Sequence, residues 1–182
     1  MLGGYDVLIQ ISNIWRGEMA NRIYIEKFLL EEDFHHYFAL VSDEKIMAMV
    51  TERAIPLEEA RNNYKSLLNK NKNHKDFGSF KVFERDTNNF IGLGKLAINE
   101  EDLSEAEIGY LLLPEFWGKG YGSEIASLML EKAEESKTLN RITAIIDPNN
   151  LASKKILLNN GFISEKICEI DGLPGEILIK TI

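Results

Sequence analysis

Cysteine is nearly absent from this chain of 182 residues. The single Cys168 excludes an internal disulfide framework and any zinc site built on paired thiolates, and is compatible with a reducing cytoplasm. Basic charge is also scarce. With 21 Lys and Arg against 29 Asp and Glu, the net charge is −8, so nucleic acid binding by bulk electrostatics is not expected. No apolar run approaches the roughly 20 residues of a membrane helix. The short run Val7 to Ile11 is interrupted by Gln10 and has no basic stretch ahead of it, which argues against a secretory signal. The chain lacks a Gly-x-Ser-x-Gly elbow, so a hydrolase of that type is excluded. His35, His36 and His74 have no metal-ligand spacing with carboxylates, and no metal is expected.

What remains is the composition of a soluble globular domain, 45% apolar and 27% charged. The first twenty residues read as an extension, and a domain begins at Asn21. Near-alternation over Arg22 to Phe28 predicts a strand. Glu31-Glu32-Asp33 suits a helix start, and Phe34, Tyr37, Phe38 and Val41 share one helical face. That aromatic stripe reads first as core, with an acceptor pocket as the alternative. A second helix starts at Pro56. Strands follow over Phe77–Glu84, Phe90–Ala97 and Glu107–Leu112, then a helix running to about Ser136. Arg141–Ile146 reads as a strand covered on both faces. A helix then ends at Asn160-Gly161, and Ile163–Ile170 and Gly175–Thr181 form a last strand pair, with Cys168 expected as a small buried residue. Strands first and βαβα later predict one mixed α/β domain without repeats or linkers.

The strongest local signal is a strand–turn–helix unit from Glu107 through Ser123. Glycines at 118, 120 and 122 would let backbone amides approach a ligand, and the helix that follows offers unpaired N–H groups and a positive dipole end. A pyrophosphate fits this description; a tight βα connection without a ligand is the alternative. Neither the Walker P-loop nor the G-x-G-x-x-G dinucleotide fingerprint is present.

The segment Phe116-Trp117-Gly118-Lys119-Gly120-Tyr121-Gly122, after Gly109-Tyr110-Leu111-Leu112-Leu113-Pro114, resembles the acetyl-CoA-binding segment of the GNAT acetyltransferase superfamily. It looks most like the branch of the RimJ and RimL ribosomal-protein N-terminal acetyltransferases. A second block agrees: Asn150-Leu151-Ala152-Ser153 at a helix start and Gly161-Phe162 after that helix. The resemblance covers about residues 21 to 182 in element order and is motif-specific over 107–123 and 147–162. One position departs. Trp117 stands where the wider superfamily carries Gln or Arg, and an aromatic there marks the RimJ/RimL-like branch.

The resemblance implies a GNAT-type α/β domain with a mixed sheet and a central splay between the fourth and fifth strands. Acetyl-CoA would lie in that splay as cosubstrate. Its pantetheine amides would pair with the backbone of Leu111, Leu112 and Leu113, as an added strand does, and Asn150 would hold the same arm. The cofactor-binding set then extends over Trp117, Gly118, Lys119, Gly120, Tyr121, Gly122 and Ser123, with the pyrophosphate on the amides of Lys119 to Ser123. Lys119, Lys154 and Lys155 either help neutralise phosphate or form a solvated face.

Transfer needs an uncharged amine, and a free alkylammonium has a pKa near 10, so a base must take its proton. Glu107 is the candidate base, through a water; a salt-bridged strand-end carboxylate is the competing reading. A backbone N–H near Leu112 would stabilise the oxyanion. Many relatives carry a Tyr seven residues after the helix-start Asn, but that position is Leu157. Ser153, Tyr110 or solvent must then protonate the leaving thiolate, with a cap-like bond as the other role of Ser153.

Two functions of different kinds follow. The first is an N-acetyltransferase acting on a primary amine, a protein N-terminus or a small molecule, to which an acidic surface would draw cations. The second is a non-catalytic acyl-CoA-binding sensor on the same fold. Nucleotide binding at the glycine turn is the weakest alternative. Neither nucleic acid nor a membrane is expected as a partner, the setting is cytoplasmic, and a homodimer is compatible with the sequence.

Overall fold

The computed structural model describes residues 22–182, and the extension expected over 1–20 lies outside them. Segments rich in β-branched and aromatic residues form β1 (Ile23–Lys27), β2 (Gly78–Glu84), β3 (Phe90–Ile98), β4 (Glu105–Leu112), β5 (Arg141–Ile146), β6 (Ile163–Ile170) and β7 (Leu173–Thr181). They make a seven-stranded sheet in the order β1-β2-β3-β4-β5-β7-β6. Every neighbouring pair is antiparallel except β4 and β5. The helices are α1 (Phe34–Val41), α2 (Glu44–Met47), α3 (Leu57–Asn73), α4 (Tyr121–Glu134) and α5 (Leu151–Asn159). Among the described residues no helix is long and apolar enough to cross a membrane.

Alternation along β4 divides the interior into two cores. Ala106, Ile108 and Leu112 face one side and pack with Ile125, Met129 and Ala133 of α4 and with Leu157 and Phe162. Leu111 faces the other side and joins Leu93, Phe28, Leu40, Tyr64 and Leu68 under α1 and α3. Each large apolar side chain buried this way stabilises the fold by about 1.5–3 kcal/mol. Phe34, Tyr37 and Phe38 belong to the second core, with the Phe34 ring 5.5 Å from both Phe38 and Tyr64.

The structure corrects two local expectations. First, β5 is covered on one face only: Ile142 and Ala144 are buried, whereas Ile145 is 45% exposed. The described helices of the first half pack mainly on β2 and β3 rather than on that side of β5. Second, Cys168 is half-buried, because β6 is the outermost strand of the sheet. The helix start expected at Glu31-Glu32-Asp33 is present: these residues form a 3-10 turn that leads directly into α1, and Asp33 makes no capping bond there. Its carboxylate instead receives Lys81 Nζ at 2.9 Å, and both residues are buried.

Candidate active site

The pairing of β4 with β5 is brief. It covers Glu105–Glu107 against Arg141–Thr143, and beyond that point the strands part. Backbone N–H and C=O groups alternate in direction along a strand. Leu113 N–H reaches Ile91 O on β3 at 2.9 Å, so 109, 111 and 113 turn toward β3, and 108, 110 and 112 turn toward the opened side. The carbonyl of Leu112 already accepts the Trp117 indole N–H at 2.8 Å. The groups left for a ligand are therefore the N–H of Leu112 and the N–H and C=O of Tyr110, rather than all of Leu111 to Leu113.

The glycine turn follows directly. Gly118 and Gly120 adopt left-handed backbone, φ +71 and +87, and Gly120 is the residue before α4. This conformation turns successive amides outward, and the N–H groups of Gly118, Lys119, Gly120, Tyr121 and Gly122 have no partner among the described residues. Ser123 differs, since its N–H bonds Gly120 O at 3.1 Å. Gly122 serves packing: it is buried, and a Cβ there would stand 3.1 Å from Ile156 Cδ1 and 3.4 Å from the Tyr110 ring. Its missing side chain lets α4 sit close to β4 and α5.

Charged groups brace the turn. Arg22 donates to Glu124 and, at 3.0 Å, to Lys119 O, while its guanidinium lies 4.5 Å over the Tyr121 ring. The Glu124 bond raises the Arg22 pKa. Tyr121 is buried and its hydroxyl bonds Glu84, which raises the Tyr121 pKa. Arg22 was not legible in the sequence as part of this site, for it lies 97 residues from Lys119. Lys119 is exposed, with Nζ 5.5 Å from the Phe116 ring centre. Trp117 is 47% exposed. Lys154 does not reach toward the turn; its Nζ lies 2.9 Å from the fully buried Glu176 carboxylate.

Across the opening, α5 presents Asn150 and Ser153. Asn150 Oδ1 accepts Ser153 N–H at 3.1 Å as a helix cap, leaving its amide donor available. Tyr110 reaches across from β4, and its buried hydroxyl lies beside Ser153. Burial raises its pKa, and the neighbouring Ser153 hydroxyl partly offsets that shift.

Glu107 sits at the last pair before the strands part and bonds Lys95 Nζ at 2.7 Å, both side chains about one-third exposed. The salt-bridged geometry considered for this carboxylate is thus present, at a place open to solvent. Two cavities meet at this pair. One, about 470 Å³, runs from Asn150, Ser153 and Tyr110 to the Met49–Glu52 loop and the β6–β7 turn. The other, about 520 Å³, lies between the end of α3 and the N-terminal part of β4. Both are lined by Lys95 and Glu107. Among the described residues no group of three or more His, Cys, Asp and Glu is placed to hold a metal ion.

Residues 22–163 match the model of the acetyltransferase (GNAT) domain. The chain belongs to the GNAT acetyltransferase family. YnaD of Bacillus subtilis, an uncharacterised N-acetyltransferase, is 30% identical to this GNAT chain over 148 residues, 80% of the chain and 82% of YnaD. YoaA of the same organism, also an uncharacterised N-acetyltransferase, is 37% identical over 87 residues, 47% of the chain. That second match spans about half the length of YoaA, 49%. Among solved structures, a spermidine N-acetyltransferase from Vibrio cholerae in complex with CoA and spermine superposes with TM-score 0.72 at 20% identity, covering 88% of this chain and 95% of that one. At that identity the likeness is one of fold. This GNAT domain accordingly has the mixed sheet and the parting of its fourth and fifth strands that the motifs implied.

Proposed function

We propose that this protein transfers the acetyl group of acetyl-CoA to a primary amine. The observation that carries the reading is one line of unspent backbone groups. Tyr110 and Leu112 face the opening between β4 and β5, and the free amides of Gly118–Gly122 continue from them at the mouth of α4. A diphosphate on those amides gains both their hydrogen bonds and the helix dipole, while an amide-bearing arm pairs with β4 as a strand would. Asn150 adds a side-chain donor to the arm. Arg22, beside Gly120, joins Lys119 as a cation near the phosphates.

Glu107 then removes the amine proton, directly or through a water, and the nitrogen attacks the thioester carbonyl. The N–H of Tyr110 stands three residues, roughly 10 Å along the strand, from Glu107, against about 16 Å for that of Leu112. Tyr110 N–H therefore suits the oxyanion, and Leu112 N–H the arm. Cationic acceptors suit the net charge of −8 and the carboxylates of Glu52, Asp147 and Asp171 that line the cavity at Asn150. Spermine, bound with CoA in the Vibrio cholerae structure, is a polyamine of this cationic class. Trp117 supports placement in the RimJ/RimL-like branch, which keeps a protein N-terminus among the acceptors. The acetyltransferase domain spans 21–182 in this reading, and its setting is cytoplasmic.

The test is an acetyl-transfer screen over polyamines, aminoglycosides and N-terminal peptides, read by release of CoA thiol. Release with at least one amine class is expected. Tight acetyl-CoA binding without release from any amine would favour a non-catalytic sensor, and absence of binding would overturn the reading.

A further inference from the structure

Leu93 and Leu111 fill the face of β3 and β4 that lies under α1 and α3. A few residues further along the same face the apolar filling stops. Ser79 stands opposite Lys95, and Ala97 and Thr143 stand on either side of Glu107. All three are half-buried, and none is large and apolar. A cavity of about 520 Å³ is left there, bordered by α3, and its size falls within the range of small-molecule sites. Through Lys95 and Glu107 it adjoins the cavity at Asn150.

The charges of this second cavity are already matched. Glu107 pairs with Lys95 at 2.7 Å, and Glu105 pairs with Arg141 at 3.0 Å. The other two charged side chains of the lining, Lys70 and Glu100, have opposite signs. A second cation therefore gains little here, in contrast to the cavity with Glu52, Asp147 and Asp171. The uncommitted groups are neutral. Asn63 and Ser66 lie three apart on one face of α3, and neither makes a side-chain hydrogen bond among the described residues. Ser79 bonds Asn71 through its backbone, which leaves its hydroxyl available. The Thr143 hydroxyl has a long bond of 3.4 Å to Ala106 O. Hydroxyl and amide side chains both donate and accept. Ligand hydroxyls do the same, so they match this lining without regard to orientation.

We propose that the acceptor is an amino sugar whose amine meets Glu107 and whose hydroxylated ring extends past the Lys95–Glu107 pair into this cavity. Asn63, Ser66, Ser79 and Thr143 receive the hydroxyls there. This rests on Glu107 taking the proton of the acceptor amine. The nitrogen bonds the acetyl carbon and gives that proton to Glu107, while the sulfur of CoA leaves with the electron pair of the C–S bond. The ring hydroxyls take no part in the step. They hold the amine beside the carboxylate.

Release of CoA thiol, measured with a set of amino hexoses and with cyclohexylamine and spermidine as amines without hydroxyls, tests this on the full chain. The companion is the double variant Asn63→Ala/Ser66→Ala. A neutral hydrogen bond is worth about 2–10-fold. The ratio of kcat/KM for the best amino hexose to that for the better hydroxyl-free amine should therefore fall about 5–100-fold in the variant. Taking the ratio cancels the different basicities of the amines. Both residues are exposed and alanine favours a helix, so the melting temperature of the variant should not fall. Acetylation of amino hexoses and of neither other amine would support the proposal outright. A ratio that the variant leaves unchanged would overturn it, since the ring would then lie elsewhere. Acetylation of other amines but of no amino hexose would also overturn it and leave the acetyl-transfer reading standing. Absence of release from every amine would remove that reading itself, and this inference with it.

Discussion

Replacing Glu107 by Gln separates binding from chemistry at this site. The carboxylate lies 2.7 Å from Lys95 Nζ, with side-chain exposures of 35% and 36%. A pair so open to solvent contributes about 0–1 kcal/mol to stability. For a chain of this size the melting temperature of Glu107→Gln should thus fall by no more than about 4 °C. In the proposed site the phosphate and arm contacts would come from Gly118–Gly122, Leu112 and Asn150, apart from Glu107. Acetyl-CoA affinity, measured calorimetrically, should accordingly stay within about twofold of wild type, because the backbone anion site is unchanged. Turnover is different. Loss of a general base costs about 10²–10⁴-fold, or roughly 2.7–5.5 kcal/mol of barrier. The assay is thiol release at saturating amine, with Lys95→Met as the companion, since it removes the ion pair and leaves the base. Turnover of Glu107→Gln within threefold of wild type would refute the base assignment. Equal damage from Lys95→Met would show that the pair matters as structure.

Gly120→Ala forces an L-residue into left-handed backbone at φ +87 while its Cβ meets only Arg22 Nη2, at 3.3 Å. The cost should be about 1–2 kcal/mol, read as a melting temperature lower by about 2–8 °C, with weaker acetyl-CoA binding; an unchanged melt refutes the turn. Trp117→Phe removes the donor to Leu112 O at the edge of the opening. It should cost about 1 kcal/mol in urea denaturation and loosen acetyl-CoA several-fold; tighter binding would mean that the carbonyl is a better ligand group when free. Lys154→Met leaves the fully buried Glu176 carboxylate without its ammonium and should cost about 3 kcal/mol at pH 7, the low end for a broken buried pair because Lys154 is partly exposed. Bonds from Ser164 and Lys154 hold the Glu176 pKa below the ordinary carboxylate value against the opposing effect of burial. The stability it contributes is therefore present above that value and lost as pH falls through the folded pKa. The gap between wild type and Lys154→Met should narrow in acid, and a gap that widens there would refute this linkage.

Part of this site is legible in the sequence because it is local. The left-handed turn, the helix mouth and the strand before it occupy consecutive residues, and their signals are glycine spacing and apolar alternation, both written within 107–123. The Asn150 cap is legible for the same reason, as its bond spans three residues. Features made by distant segments left no such mark. Arg22 looks like the polar start of a strand until the sheet brings it to Lys119, and Lys154 looks like a phosphate ligand until Glu176 comes beneath it. Asp33 carries a helix-start signature that holds, whereas its pairing with Lys81, 48 positions away, left no mark in the sequence. Even within 107–123, which carbonyls are free depends on strand direction and on the Trp117 indole, and both require the pairing with β3 to be known.

The same distinction explains why the carrier side of the pocket is generic and the acceptor side is not. Acetyl-CoA presents a diphosphate and two amides, and both can be held by main chain, so any sequence that makes the turn and opens the strand pair supplies them. The amine offers no such repeated group. In the proposed site its surroundings would come from the Met49–Glu52 loop and the β6–β7 turn at Asp171, two segments set by loop conformation, beside the Lys95–Glu107 pair carried by β3 and β4. Glu52 and Asp171 both hold left-handed backbone, at φ +56 and +52, a conformation uncommon for residues other than glycine. Acceptor choice should therefore change with substitutions in those loops while acetyl-CoA affinity stays level. Exchanging the 49–52 loop for that of another GNAT domain should alter which amine releases thiol, and a swap that alters CoA affinity instead would place the acceptor elsewhere.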